Sequence, residues 1–140
     1  MKRLLWALAV LLLFLYAPAS AASLIAKIDI SEQKMRIFVN GVPRHTWAVS
    51  TARRGYVTPL GNYRPQRLEK MWHSRKYNMS PMPHSIFYHR GYAIHGTDAV
   101  KNLGNPASHG CVRLHPANAE RLFALVSRYG MGNMRIEVVR

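Results

Sequence analysis

The chain is 140 residues long and carries 20 Lys and Arg against 6 Asp and Glu, a formal net charge of +14 at pH 7. That length bounds it to a single domain, and so few acids leave little room for paired-carboxylate chemistry such as glycoside hydrolysis. The basic residues are scattered singly, so the charge points to anionic partners but lacks the clustered runs of a nucleic-acid binder.

Lys2 and Arg3 precede an unbroken apolar run, Leu4 to Ala17, which is followed by the small residues of "PASAAS". This is the n-region, h-region and cleavage-site pattern of a secretory signal peptide, assigned to residues 1–22 with cleavage near Ala21 or Ala22. The run is short for a bilayer, which needs about 20 apolar residues, and no basic stop-transfer cluster follows; no stable membrane anchor is expected after cleavage. The mature domain then covers residues 23–140 and keeps a charge of about +12 once Lys2 and Arg3 are lost. Export to the periplasm or cell wall turns the expected partners from nucleic acid to anionic envelope polymers.

From Ser23 to Thr51 the chain reads as short strands. Ile28 and Ile30, then Met35, Ile37 and Val39, alternate with polar residues at period two. Glu32 and Gln33 supply one turn, and Asn40-Gly41 is a strong hairpin signal. Further strands are predicted at Gly61 to Arg67, Ser85 to His89 and Tyr92 to His95. Pro59, Pro65, Pro81, Pro83 and Pro106 divide the middle of the chain into pieces that no long helix could cross. One segment is plainly helical: "HPANAERLFALVSRYG" has Pro116 at its start, a Gly130 stop, and Ala119, Leu122, Phe123, Val126 and Tyr129 on one face. Met134 to Val139 is a last strand. The fold class is therefore mostly β, a single-domain sandwich or barrel with one main α-helix.

The only cysteine, Cys111, stands in "AIHGTDAVKNLGNPASHGCVRLH" beside three histidines, His95, His109 and His115. In an oxidising compartment an unpaired cysteine is an intermolecular link or a reactive thiol. A catalytic thiol needs a neighbour that takes its proton, and histidine is tuned for that near neutral pH. His109 is two residues from Cys111 and on the same side of an extended backbone, whereas His95 ends a strand whose following loop returns to Cys111. Spacing does not choose between them. Gly110 would permit close substrate approach and let the N–H groups of His109, Gly110 and Cys111 converge as an oxyanion hole, although an ordinary turn is the simpler reading of a glycine there. A backbone carbonyl near Gly96 is the preferred orienter of the base, with Asp98 capping the short turn "DAVKNLG". The competing use of His95, His109, Cys111 and His115 is a zinc set, but their spacing matches no established finger and no second cysteine supports it; no metal or cofactor is expected. Trp72, Tyr77, Met82 and Tyr88 are candidates for lining a substrate cleft, with a core role as the alternative.

"AIHGT" followed after a glycine-containing loop by "SHGCVRL" resembles the active-site signature of the L,D-transpeptidase catalytic domain. The family pattern is a histidine, a spacer, Ser or Thr, His-Gly-Cys, a hydrophobic residue and Arg or Asn, met here by His95, then Ser108, His109, Gly110, Cys111, Val112 and Arg113. "VSTARRGYVTPLGNYRP" and "SRKYNMSPMPHSIFYHRGYAIHG" are similar to the family's upstream segments, so the resemblance covers nearly the whole mature chain. It implies Cys111 as nucleophile and His95 as base, His109 and Gly110 at the oxyanion site, and Arg113, Ser108 and Gly96 on the substrate-binding side. Within that group Gly96 would hold the imidazole through its backbone, Ser108 would brace the loop, and Arg113 would stabilise it or meet a substrate carboxylate. The implied substrates are peptidoglycan stem peptides. The implied acceptor is a stem amine; an envelope lipoprotein's lysine would make an anchoring enzyme, and water an L,D-carboxypeptidase.

Overall fold

The computed structural model describes residues 22–140. The apolar leader predicted at residues 1–22 lies almost wholly outside the described residues. Among those described, no helix is long and apolar enough to cross a membrane.

Nine strands form two sheets. β1 (Leu24–Asp29), β2 (Lys34–Val39) and β3 (Val42–Ala48) are a meander, and β4 (Gly61–Tyr63) follows a long loop. β5 (Arg67–Ser74), β6 (Ser80–His89), β7 (Tyr92–Gly96) and β8 (Val112–Leu114) come next, then α1 (Pro116–Tyr129) and β9 (Met134–Val139). The five-stranded sheet has the order β3-β2-β1-β9-β4 and the four-stranded sheet β5-β6-β7-β8. Two pairs are parallel, β1 with β9 and β7 with β8; the other pairs in both sheets are antiparallel.

Local sequence explains the hairpins. Asn40 and Gly41 take φ of 48° and 77°, the left-handed pair that a two-residue turn between twisted strands requires. Gln33 closes the β1–β2 turn at φ 52°. The period-two residues Leu24, Ala26, Ile28, Met35, Ile37, Met134, Ile136 and Val138 all turn into one core, where Ile86, Tyr88, Ile94, Val112 and Leu114 meet them from the other sheet. α1 packs on β6 and β7 and touches β1, adding Ala119, Leu122 and Val126 to the same core. Its N-cap is His115, whose Nδ1 accepts the Ala117 N–H at 3.1 Å, and Gly130 ends it at φ 89°.

Three expectations are corrected. The strand foreseen at Gly61 to Arg67 is two strands in different sheets, because Pro65 lies between them and the chain crosses from β4 to β5 there. β6 begins at Ser80, five residues before the predicted start, and runs through Pro81 and Pro83. Both prolines are tolerated because β7 pairs with β6 only from Ile86 onwards, which leaves that half of β6 bonded on one side alone. Tyr88, a candidate cleft residue, is buried in the inter-sheet core beside Tyr63.

Candidate active site

His95 and Cys111 come together because β7 and β8 are parallel and in a fixed register. Ile94 pairs with Val112 and His95 with Arg113, so Cys111 enters β8 level with Ala93. Successive side chains in a strand alternate faces: Ile94, Val112 and Leu114 go to the core, while Ala93, His95, Cys111 and Arg113 share the opposite face. That face floors a cleft of about 590 Å³.

His95 is buried, and its Nδ1 lies 2.7 Å from the Gly96 carbonyl oxygen. A carbonyl only accepts, so Nδ1 carries the proton and donates it, and Nε2 keeps a free lone pair. Burial, reinforced by the Arg113 guanidinium, pulls the imidazole pKa down to about 4. The Cys111 thiol is pushed up by burial, against a backbone hydrogen bond from Ala93 and the Arg113 charge. Burial thus disfavours the charged form of both groups, a thiol and an imidazole on one strand face, and with it a preformed thiolate–imidazolium pair.

The loop that carries Cys111 is held from behind. Ser108, fully buried, donates its hydroxyl to the Cys111 carbonyl at 2.6 Å and accepts the Gly110 N–H at 3.0 Å. Gly110 sits at φ 135°, and a Cβ there would fall 2.5 Å from the Tyr92 ring and 2.8 Å from the Val57 carbonyl. Only glycine fits that backbone. The Thr51 carbonyl accepts the N–H groups of Ala107 and Ser108, and Thr51 is itself clamped by the buried Gln33 side chain through Oγ1 at 2.6 Å and its N–H at 2.9 Å. Thr58 bonds the Gly110 carbonyl at 2.8 Å. Sequence reasoning missed Gln33, Thr51 and Thr58; a buried Thr ahead of Pro59 in the "TPLGNY" segment was the available signal.

The remaining candidates separate. The Gly96 carbonyl engages the His95 ring, but Gly96 itself is packed against Pro83, Pro116 and Ala119 and does not line the cleft, which places it behind the imidazole and away from the cleft side expected of it. Gly110 N–H is spent on Ser108, which removes it from the expected trio of oxyanion donors. The His109 ring stacks on Tyr77 at 4.0 Å and meets the edge of Tyr56 at 4.7 Å. Partial desolvation there, with Arg53, Arg113 and Lys76 nearby, lowers its pKa. His115 caps α1, and among the described residues no three His, Cys, Asp or Glu side chains converge as a metal set. Asp98 does not cap the turn after β7; the Thr97 hydroxyl accepts the Ala99 N–H instead, at 3.1 Å. Trp72, Tyr77 and Met82 do line the cleft. So do Arg67, Arg75, Lys76, Arg90 and Arg113, against the single acid Asp98.

Solved structures share this architecture. An L,D-transpeptidase from Mycobacterium smegmatis superposes with a TM-score of 0.74 at 20% identity, covering 85% of this chain and 59% of its own. One from Stackebrandtia nassauensis gives 0.74 at 22%, covering 89% and 60%, and one from Xylanimonas cellulosilytica 0.70 at 24%, covering 86% and 62%. The chain thus spans about three-fifths of the length of these structures, and likeness at such identity carries the fold. No curated protein sequence matches it significantly. The family model of the L,D-transpeptidase catalytic domain (YkuD) matches residues 23–138, the whole of both sheets but the last residue of β9, and the chain belongs to that family.

Proposed function

We propose that the protein is an exported L,D-transpeptidase that acts on peptidoglycan stem peptides through a Cys111 thioester. The observation that carries this reading is the His95 Nδ1 to Gly96 carbonyl bond of 2.7 Å, which leaves Nε2 unprotonated and able to accept on the strand face that Cys111 shares. Cys111 Sγ attacks the carbonyl of an L-centre that is followed by D-alanine, and its proton passes to His95 Nε2 as the S–C bond forms. The tetrahedral oxyanion collapses, the C–N bond breaks, and the departing D-alanine amine takes the proton from His95. An acceptor amine attacks the thioester and yields its proton to His95. The C–S bond then breaks and Cys111 recovers the proton.

Burial disfavours both the thiolate and the imidazolium, which supports proton transfer in step with attack. The cationic lining supports an anionic substrate: Arg75, Lys76, Arg90 and Arg113 make no ion pair among the described residues and would attract the carboxylates of a stem peptide. Export to the periplasm or cell wall, proposed from the leader, is where that substrate occurs.

Incubating the mature protein with muropeptide tetrapeptides and reading masses tests the reading. Cross-linked dimers with released D-alanine are expected; bare tripeptides alone would make it an L,D-carboxypeptidase, and transfer only to an envelope lipoprotein's lysine an anchoring enzyme. Unchanged substrate would overturn the proposal.

A further inference from the structure

Thr58 lies in the loop between β3 and β4, is 5% exposed, and is not among the residues that line the cleft. Its hydroxyl has both directions assigned: Oγ1 accepts the Ala52 N–H at 2.9 Å and donates to the Gly110 carbonyl at 2.8 Å. That carbonyl belongs to the peptide unit joining Gly110 to Cys111. A trans peptide is planar with its C=O and N–H pointing opposite ways, so holding the carbonyl toward Thr58 aims the Cys111 N–H away from Thr58, and of the two residues Cys111 lines the cleft while Thr58 does not.

The neighbouring units differ in what is held. The Ser108 carbonyl accepts the Arg53 N–H at 2.9 Å, which turns the His109 N–H the same way by the same planarity. Gly110 N–H is already taken by Ser108. Of the three donors around the nucleophile, Cys111 N–H is thus the one adjacent to the reacting sulfur and set by a single side chain. Glycine resists rotation of its following peptide less than any other residue, so the Gly110–Cys111 unit needs a clamp from outside the loop.

We propose that Thr58 is a positioning residue for the oxyanion: by pinning the Gly110 carbonyl it orients the Cys111 N–H toward the oxygen that becomes negative when Cys111 attacks. The role rests on the acyl-transfer reading of Cys111. It predicts a defect confined to steps that pass through a tetrahedral oxyanion, because loss of a preorganised donor costs such steps about 10²- to 10³-fold.

Two reactions of the same thiol separate this from general damage. Acyl-enzyme formation from a stem tetrapeptide, followed by intact mass in single turnover, passes through an oxyanion; alkylation of Cys111 by iodoacetamide, a displacement at carbon, does not. Thr58→Val is expected to slow acylation by about 10- to 10³-fold while alkylation stays within about 2-fold and KM barely moves, and Thr58→Ser is expected to restore acylation to within about 3-fold of the parent. Thr58→Ala, measured alongside, gives the same split should the valine variant not fold. Acylation at the parental rate in Thr58→Val or Thr58→Ala, or an equal fall in both reactions, would overturn the role. A parent protein that is alkylated but never acylated would overturn the transpeptidase reading itself, and the role with it.

Discussion

On β7, Ile94 and Gly96 face the core and the helix, whereas Ala93 and His95 take the opposite face, His95 lining the cleft and Ala93 buried beneath it beside Met82 and Phe87. β8 repeats the division, with Val112 and Leu114 inward and Cys111 and Arg113 outward. The two faces of this sheet obey different physics. The inner face is a close-packed apolar layer in which volume decides stability. The outer face holds an imidazole and a thiol whose charged forms burial disfavours, together with Arg113, which makes no ion pair among the described residues. Strict alternation lets these two short strands present both surfaces.

Substitutions on the two faces should therefore fail in different assays. Cys111→Ala is the largest expected effect: activity on stem tetrapeptides should fall by about 10⁴-fold or more, with the thermal midpoint essentially unmoved. Retained turnover would end the mechanism. His95→Gln should cost kcat about 10²- to 10⁴-fold, with the thermal midpoint at neutral pH moved far less than by a core truncation.

Ile94→Ala, next to His95 in sequence, should do the reverse. It removes a fully buried side chain and should lower the unfolding free energy by about 2–5 kcal/mol in denaturant titration while the folded fraction keeps its kcat. A kcat loss as large as that of His95→Gln would show that the faces are coupled.

pH sharpens the comparison further. The unfolded chain protonates His95 near its ordinary 6.5, but the folded protein refuses the proton until about pH 4. The folded pKa is depressed, so stability present above 6.5 is lost as pH falls from 6.5 to about 4, by about 1.4 kcal/mol per pH unit at most. Comparing the parent with His95→Gln in that window isolates this contribution, and the acid limb of kcat/KM should lie nearer pH 4 than 6.5. The smallest effect is that of salt. Screening of the cleft's cations should lower kcat/KM several-fold between about 50 mM and about 0.5 M salt, with stability little changed; a flat profile would remove charge from substrate capture.

Much of this was legible in the residues. The Asn40-Gly41 hairpin, the α1 boundaries set by Pro116 and Gly130, and β9 are local signals with local causes, and all lie where the pattern put them. The carbonyl that orients the base was also legible, because six acids left few other candidates near His95. β8 was not: three residues are too short for a periodic signal, and the strand exists because β7 offers it a parallel edge. Met82 and Phe87 are another limit. Strict alternation puts them on opposite faces of β6, yet His84 at φ 51° breaks the alternation and both pack in one cluster with Trp72, Ala93 and Cys111. A left-handed histidine leaves no mark in a sequence pattern.

By itself the sequence determined the chemical inventory: one unpaired thiol, histidines at either end of a turn-rich spacer, a glycine beside the nucleophile, and a cationic surface. These follow from residue identity and spacing along the chain. Only the tertiary structure decided that His95 and the thiol share one strand face, which N–H groups remain for an oxyanion, and that Gln33, Thr51 and Thr58 stand behind the loop. Those depend on parallel strand register and on hydrogen bonds between segments 18 to 57 residues apart, and neither is encoded in any local stretch.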